Sequence, residues 1–196
     1  MTGVILCGGQ STRMGTDKGL ISCPEGIWAR AAFNKMTALH LPVVISINPS
    51  QHDDYSRFFS AAELITDDQS LSLAGPLLAL LSVHRRIPAE DLLVLACDMP
   101  MIQPLQLQTL ITVYRQDSSF EAYVYAGDGV FEPLCGLYTA RGLSVLLDAH
   151  SKGAVRKFSM KASLDRIETL SVPIPDGQRD CFQNINSRAG LESLNH

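Results

Sequence analysis

The residues best able to do chemistry stand together near the start of the chain. They are Gly8-Gly9-Gln10-Ser11-Thr12-Arg13-Met14-Gly15-Thr16-Asp17-Lys18, reached from the apolar run Val4-Ile5-Leu6 through Cys7. Glycines let a backbone approach a ligand because no Cβ intervenes, and successive N–H groups in such a turn form an anion-binding concavity. Arg13 and Lys18 add mobile positive charge. The chemistry this combination suits is a triphosphate cradle. It is not a P-loop, which needs Gly-x-x-x-x-Gly-Lys-Ser/Thr, because Thr16 follows Gly15 and Lys18 is not adjacent to that glycine. Nor is it the Gly-x-Gly-x-x-Gly turn of dinucleotide-binding folds. The loop alone leaves open an ordinary Gly/Ser-rich turn carrying two surface cations.

Two further positions have the right chemistry. Asp98 follows the apolar run Leu92-Leu93-Val94-Leu95-Ala96 and Cys97, with Pro100 two residues on. A carboxylate just past a buried parallel strand points into a crevice and suits Mg²⁺, a hard cation that shares its shell with phosphate oxygens; a turn or cap aspartate is the plainer reading. Asn48-Pro49 ends the run Val43–Ile47 at a carboxyl edge, where open α/β sheets bind ligands, and an asparagine there also serves as a turn former before proline. Other chemistries find no support. There is no Ser-His-Asp arrangement and no Gly-x-Ser-x-Gly elbow. The five histidines are scattered, and His52-Asp53-Asp54 reads as a solvated loop without metal-ligand spacing.

These residues need strands that end where they stand and helices that cover the strands. The patterns supply both. Strands are predicted at 4–6, 43–47, 63–66, 92–96, 122–126, 132–138 and 167–172. Helices are predicted at 27–41, where Trp28, Ala31, Ala32, Met36 and Leu39 share a face, and from Pro76 until Pro88. Others follow at 104–116, 141–150, 154–160 (short and basic) and 188–194, with Ser187 as N-cap. Gly127-Asp128-Gly129 is placed to join two strands as a hairpin-like pair. Strands alternating with helical patterns imply βαβ units around a mostly parallel sheet.

The chain has 196 residues, 46% hydrophobic and 18% charged, enough to bury a core without staples. We expect a single domain over 1–196. A net charge of −4 argues against nucleic acid as a general partner and leaves room for a local cationic site. Five widely spaced cysteines, with no Cys-x-x-Cys pair, argue against a zinc site or a disulfide framework and fit a reducing cytoplasm. No signal peptide opens the chain, and no apolar run approaches the ~20 residues of a membrane helix.

The opening stretch resembles the Leu-x-Gly-Gly-x-Ser-x-Arg-Met-Gly-x-Asp-Lys signature of the molybdenum cofactor guanylyltransferases. Further blocks follow in the same order: Asp68 with Gly75-Pro76-Leu77, Cys97-Asp98-Met99-Pro100, Glu132-Pro133-Leu134, and Phe182-Gln183-Asn184-Ile185-Asn186. The resemblance implies a three-layer, Rossmann-like nucleotidyltransferase fold, with a nucleotide-binding half over 1–100 and an acceptor-binding half over 101–196. It implies that Leu6, Cys7 and Gly8 hold the nucleotide base and ribose through backbone groups, and that the stretch Leu6, Cys7, Gly8 and Gly9 chooses the base. Lys18, Asn48 and Asp68 would be further nucleotide contacts, and Arg13 and Lys18 would brace the phosphates. Asp98 would hold Mg²⁺ and contact the nucleotide, with Asn184 and Asn186 on the acceptor side. Gly8-Gly9 and Asp17-Lys18 match guanylyl members, so GTP is the implied donor and a molybdenum-pterin monophosphate the acceptor. Other cofactor-biosynthesis proteins or recipient apo-enzymes would be partners. Cytidylyl transfer, a sugar-phosphate acceptor and a non-catalytic nucleotide-binding module are the alternatives. Three departures stand out: Cys7 where the family has alanine, Ala79 where it has glycine, and Ser187-Arg188-Ala189-Gly190 where it has Thr-Pro-Glu-Glu.

Overall fold

The structure is a computed structural model describing residues 1–8, 17–152 and 159–185. Among the described residues, nine strands and six α-helices follow one another: β1 (Thr2–Leu6), β2 (Ser22–Cys23), β3 (Gly26–Ile27), α1 (Trp28–Thr37), β4 (Val43–Ile47), α2 (His52–Tyr55), β5 (Leu64–Thr66), α3 (Gly75–Arg86), β6 (Leu92–Ala96), α4 (Pro104–Gln116), β7 (Ala122–Gly127), β8 (Val130–Tyr138), α5 (Ala140–Ser151), α6 (Met160–Leu164) and β9 (Thr169–Pro173). Seven strands form one sheet in the order β5-β4-β1-β6-β8-β7-β9, and β2 and β3 make a small separate hairpin. The pairs β5–β4, β4–β1, β1–β6 and β7–β9 are parallel, and β8 runs antiparallel between β6 and β7. The expected mostly parallel sheet is thus present, with β8 reversed by the Gly127-Asp128-Gly129 turn.

Side chains alternate across a strand, which divides the core in two. Ile5, Ile45, Leu93 and Leu95 face one side and pack with Ala29, Ala32 and Met36 of α1 and Leu107, Leu110 and Ile111 of α4. Val4, Leu6, Leu92 and Val94 face the other and meet Leu77, Leu80 and Leu81 of α3, Leu143 and Leu146 of α5, and Leu164 of α6. Helices therefore cover both faces, the three-layer arrangement expected. Each fully buried Leu, Ile or Val adds about 1.5–3 kcal/mol of transfer free energy, so the central strands, apolar on both faces, anchor the molecule.

Some local expectations are corrected. α1 ends at Thr37, short of Leu41 and of Pro42. Ala38 N–H closes the last turn on the Asn34 carbonyl, and His40 then takes a left-handed conformation with φ of 59°. Ala31 is only partly buried, while Ala29 is fully so. The strand expected at 167–172 runs from Thr169 to Pro173. Most of the basic helix expected at 154–160 and all of the terminal helix at 188–194 lie outside the described residues; α6 begins at Met160. No helix among the described residues is long and apolar enough to cross a membrane.

Candidate active site

The chain order of the sheet reverses at β1. Strands β4 and β5 build outward on one side of it and β6 opens the other, which makes the carboxyl ends of β1 and β6 a topological switch point. Leu6 pairs with Ser46 and with Ala96. One residue further on, Cys7 N–H donates to the Ser46 carbonyl at 2.9 Å and Cys97 N–H to the Leu6 carbonyl at 3.1 Å. The sheet register therefore delivers Gly8 and Asp98 to the same edge. Between them lies a cavity of about 210 Å³ whose lining includes Leu6, Gly8, Lys18, Pro76, Asp98 and Leu134. α3 begins there at Gly75-Pro76, so the positive end of its dipole borders the cavity.

Lys18 and Asp98, 80 residues apart in sequence, meet across this space. Lys18 Nζ donates to Asp98 Oδ2 at 2.7 Å, and each side chain is 16% exposed. The Phe182–Ile185 segment reaches the same residue's backbone: Ile185 N–H donates to the Asp98 carbonyl at 3.0 Å, and exposed Asn184 directly precedes it. Glu132-Pro133-Leu134 borders the cavity through Leu134. Gly9, Arg13 and Asn186, expected at the site, lie outside the described residues.

The remaining expected residues are placed as follows. Cys7 is buried, and its backbone is engaged: N–H on Ser46, carbonyl on the Gln51 Nε2–H at 3.0 Å. The neighbouring Cys97 thiol is held well above its usual range by its hydrogen bond with Cys7 and by burial. Asn48 caps the 3-10 turn Pro49–Gln51, its Oδ1 accepting from Ser50 N–H at 3.0 Å, in a capping box with Gln51. Asp68 is paired with Arg85 at 2.6 Å and accepts from Ser70 N–H at 2.9 Å. It borders a separate cleft with Thr66, Ser82 and Arg86. Ala79, 1% exposed, packs with its neighbours in α3 in the core and does not line the cavity, so its methyl fills the helix interface.

Three residues escaped the sequence reading. Asp67, adjacent to Asp68, is the carboxylate beneath the β1 exit. It accepts from the Ser46 hydroxyl at 3.1 Å, and its Oδ2 stands 3.1 Å from where a Cβ on Gly8 would sit. Burial pushes its carboxyl up to about 6, against the pull of the Ser46 hydrogen bond. Gln51 and Tyr55 come from the polar connector after β4. Both are buried and both hydrogen-bond Asp17: Tyr55 O–H donates to Oδ1 at 3.0 Å and Gln51 Nε2 donates to Oδ2. Gly19 N–H also donates to Asp17 Oδ1, at 2.9 Å. The Asn48-x-x-Gln51 capping-box spacing was the signal for Gln51; nothing local marked Tyr55.

Residues 3–167 match the family model described as the MobA-like NTP transferase domain. A "Probable molybdenum cofactor guanylyltransferase" of a Geobacillus species is 31% identical over 152 residues, 76% of either chain. A "Molybdenum cofactor biosynthesis bifunctional protein" of a Synechocystis species is 30% identical over 151 residues, 77% of this chain; the chain spans 42% of that protein's length. Among solved structures, "Molybdopterin-guanine dinucleotide biosynthesis protein A" of Archaeoglobus fulgidus superposes with a TM-score of 0.78 at 21% identity. That superposition covers 98% of this chain and 96% of that one, a likeness of fold.

Proposed function

The chain belongs to the MobA-like NTP transferase family, and from that premise we propose that it transfers GMP from GTP to the phosphate of a molybdenum-pterin cofactor. Pyrophosphate is released and a guanine dinucleotide cofactor formed. The observation that carries this reading is the Lys18–Asp98 pair, a cation and a carboxylate 2.7 Å apart at the switch-point cavity. We read 1–100 as the nucleotide half and 101–196 as the acceptor half of one unit acting in the cytoplasm, its product passing to other cofactor-biosynthesis proteins or recipient apo-enzymes.

The chemistry asks for little beyond placement and charge. An oxygen of the acceptor phosphate, already anionic, attacks the α-phosphorus of GTP in line. The bond from the α-phosphorus to the bridging oxygen breaks, and that oxygen leaves with the β- and γ-phosphates. No strong general base is required, consistent with the absence of a hydrolase-type triad in the sequence. Lys18 neutralises charge on the departing pyrophosphate, and the positive dipole end of α3 borders the same space. Arg13 is assigned to the same phosphates.

The donor set suits Mg²⁺. Asp98 offers carboxylate oxygen, and among the described residues no group of three ligating side chains exists to cage an ion. A cation here would complete its shell with water and substrate phosphate oxygens, the habit of Mg²⁺. Bound on Asp98, it would polarise the α-phosphoryl oxygen.

Pyrophosphate release with each nucleoside triphosphate, Mg²⁺ and a pterin monophosphate acceptor tests the reading. Turnover is expected with GTP. Asp98→Asn should lose at least ~100-fold in turnover while keeping a cooperative unfolding transition. Turnover with CTP alone would overturn the base assignment, and unchanged turnover in Asp98→Asn would overturn the metal assignment.

A further inference from the structure

The residue just before Lys18, Asp17, is held by groups that lie behind it. The connector after β4 turns through Pro49–Gln51 into α2 (His52–Tyr55), which puts Gln51 and Tyr55, four residues apart, on one side of a continuous helical stretch. The Gln51 carboxamide touches three separate segments. Its Oε1 accepts from Asn48 N–H at 2.8 Å at the β4 exit. Its Nε2 donates to the Cys7 carbonyl at 3.0 Å at the β1 exit and to Asp17 Oδ2 at the far end of the opening loop. Tyr55, fully buried, donates to the other Asp17 oxygen. Asp17 is the N-cap of the 3-10 turn Lys18–Leu20, so its side chain decides where that turn begins. The next residue is the one whose ammonium meets Asp98.

We propose that Gln51 and Tyr55 are positioning residues that act through Asp17: they latch the outgoing end of the opening loop to the β1 exit and so place Lys18 for phosphoryl transfer. This rests on the guanylyltransferase reading above. Neither side chain lines the cavity; their work is to close the two ends of the loop against one buried carboxamide. By the same geometry Asp17, which the family resemblance tied to the choice of GTP, serves as an anchor, with both its oxygens engaged inside the protein.

The test uses Gln51→Met and Tyr55→Phe, each alone and combined with Lys18→Met. The triphosphate is already charged when it binds, and further charge gathers on the pyrophosphate as its bond breaks, so a lysine displaced but not removed costs kcat more than KM. Each latch variant should lower kcat at least roughly tenfold, with KM for GTP moved by less than about threefold. In the Lys18→Met background the same substitutions should cost little more, because the group they position is gone. Reaction of Lys18 with an amine reagent, followed by mass spectrometry, should speed up in both single variants. Losses that add to that of Lys18→Met, or unchanged labelling of Lys18, would overturn the proposal. Tyr55→Phe keeps the ring packing, so it carries the test should Gln51→Met fold poorly. If the wild-type chain turns over no GTP, the functional reading fails, and the labelling of Lys18 still decides whether the latch exists.

Discussion

A Cβ on Gly19 would stand 2.0 Å from the Tyr55 hydroxyl oxygen, 3.1 Å from its Cζ and 3.3 Å from Cys7 Sγ. The first distance is far inside contact, so glycine at this position is what lets the turn after Lys18 lie against Tyr55. Gly19→Ala is expected to destabilise by about 1–3 kcal/mol, the range for overpacking a tight site, read as a lower denaturant midpoint with unchanged slope. The hydroxyl is the nearest atom, so adding Tyr55→Phe should restore part of the loss. Two penalties that simply add would show that the clash lies elsewhere. The same scale explains what the sequence left hidden. Asp67 and Asp68 are adjacent carboxylates, and only the backbone path after β5 decides that Asp67 turns inward to Ser46 while Asp68 turns out to Arg85. A string of residue types does not contain that choice.

At the scale of elements, α3 meets α5 across a polar contact that acid should open. His84, 2% exposed, lies with its Nε2 3.1 Å from the Ser144 hydroxyl, which itself donates to the Ala140 carbonyl at 2.9 Å. Nε2 is therefore the protonated nitrogen, and Nδ1 is buried without a hydrogen-bond partner among the described residues. Burial holds the His84 pKa below its ordinary value. As pH falls past about 6.5 the unfolded chain takes up this proton before the folded one does, so His84 lowers stability progressively from there down to its folded pKa. Asp67 acts oppositely: its folded pKa of about 6 lies above the usual aspartate value, so it favours the fold as pH falls between the two. The comparison of His84→Met with wild type isolates the histidine. The variant should lose less stability in urea between pH 7 and 5.5, and an identical loss would place the acid sensitivity elsewhere. Element identity was largely legible in the sequence. β4, β6 and α4 appear with the expected bounds because continuous β-branched and leucine runs, and a proline at a helix start, are strong local signals. The β2–β3 hairpin was not legible, since two-residue strands carry no period.

At the scale of the whole molecule, the site is assembled from distant parts of the chain. Lys18 follows the opening loop, Asp98 follows β6, and Ile185 close to the C-terminus bonds the Asp98 backbone. The sequence indicated that these blocks belong together and could not show that two of them would engage each other directly. That engagement has a consequence for loading. On the proposal that Asp98 takes the cation, one of its two oxygens, Oδ2, is already held by an ammonium group in a partly shielded site, where a charge-assisted bond is strong. A bare cation would then compete with Lys18 for that carboxylate. The phosphates of a nucleotide–cation complex would draw Lys18 away and leave the carboxylate to the ion, so nucleotide and cation are expected to enter together. Titration calorimetry with Mn²⁺ as the probe is expected to give weak binding to the wild-type protein alone and at least roughly tenfold tighter binding with GTP present, about 1.4 kcal/mol of coupling. Lys18→Met should bind Mn²⁺ more tightly than wild type in the absence of nucleotide, because the competitor is removed, and should lose most of the gain that GTP brings. Equal Mn²⁺ affinity in the two proteins without nucleotide would show that the ion pair does not guard the carboxylate, and that the order of loading is set by groups other than Lys18.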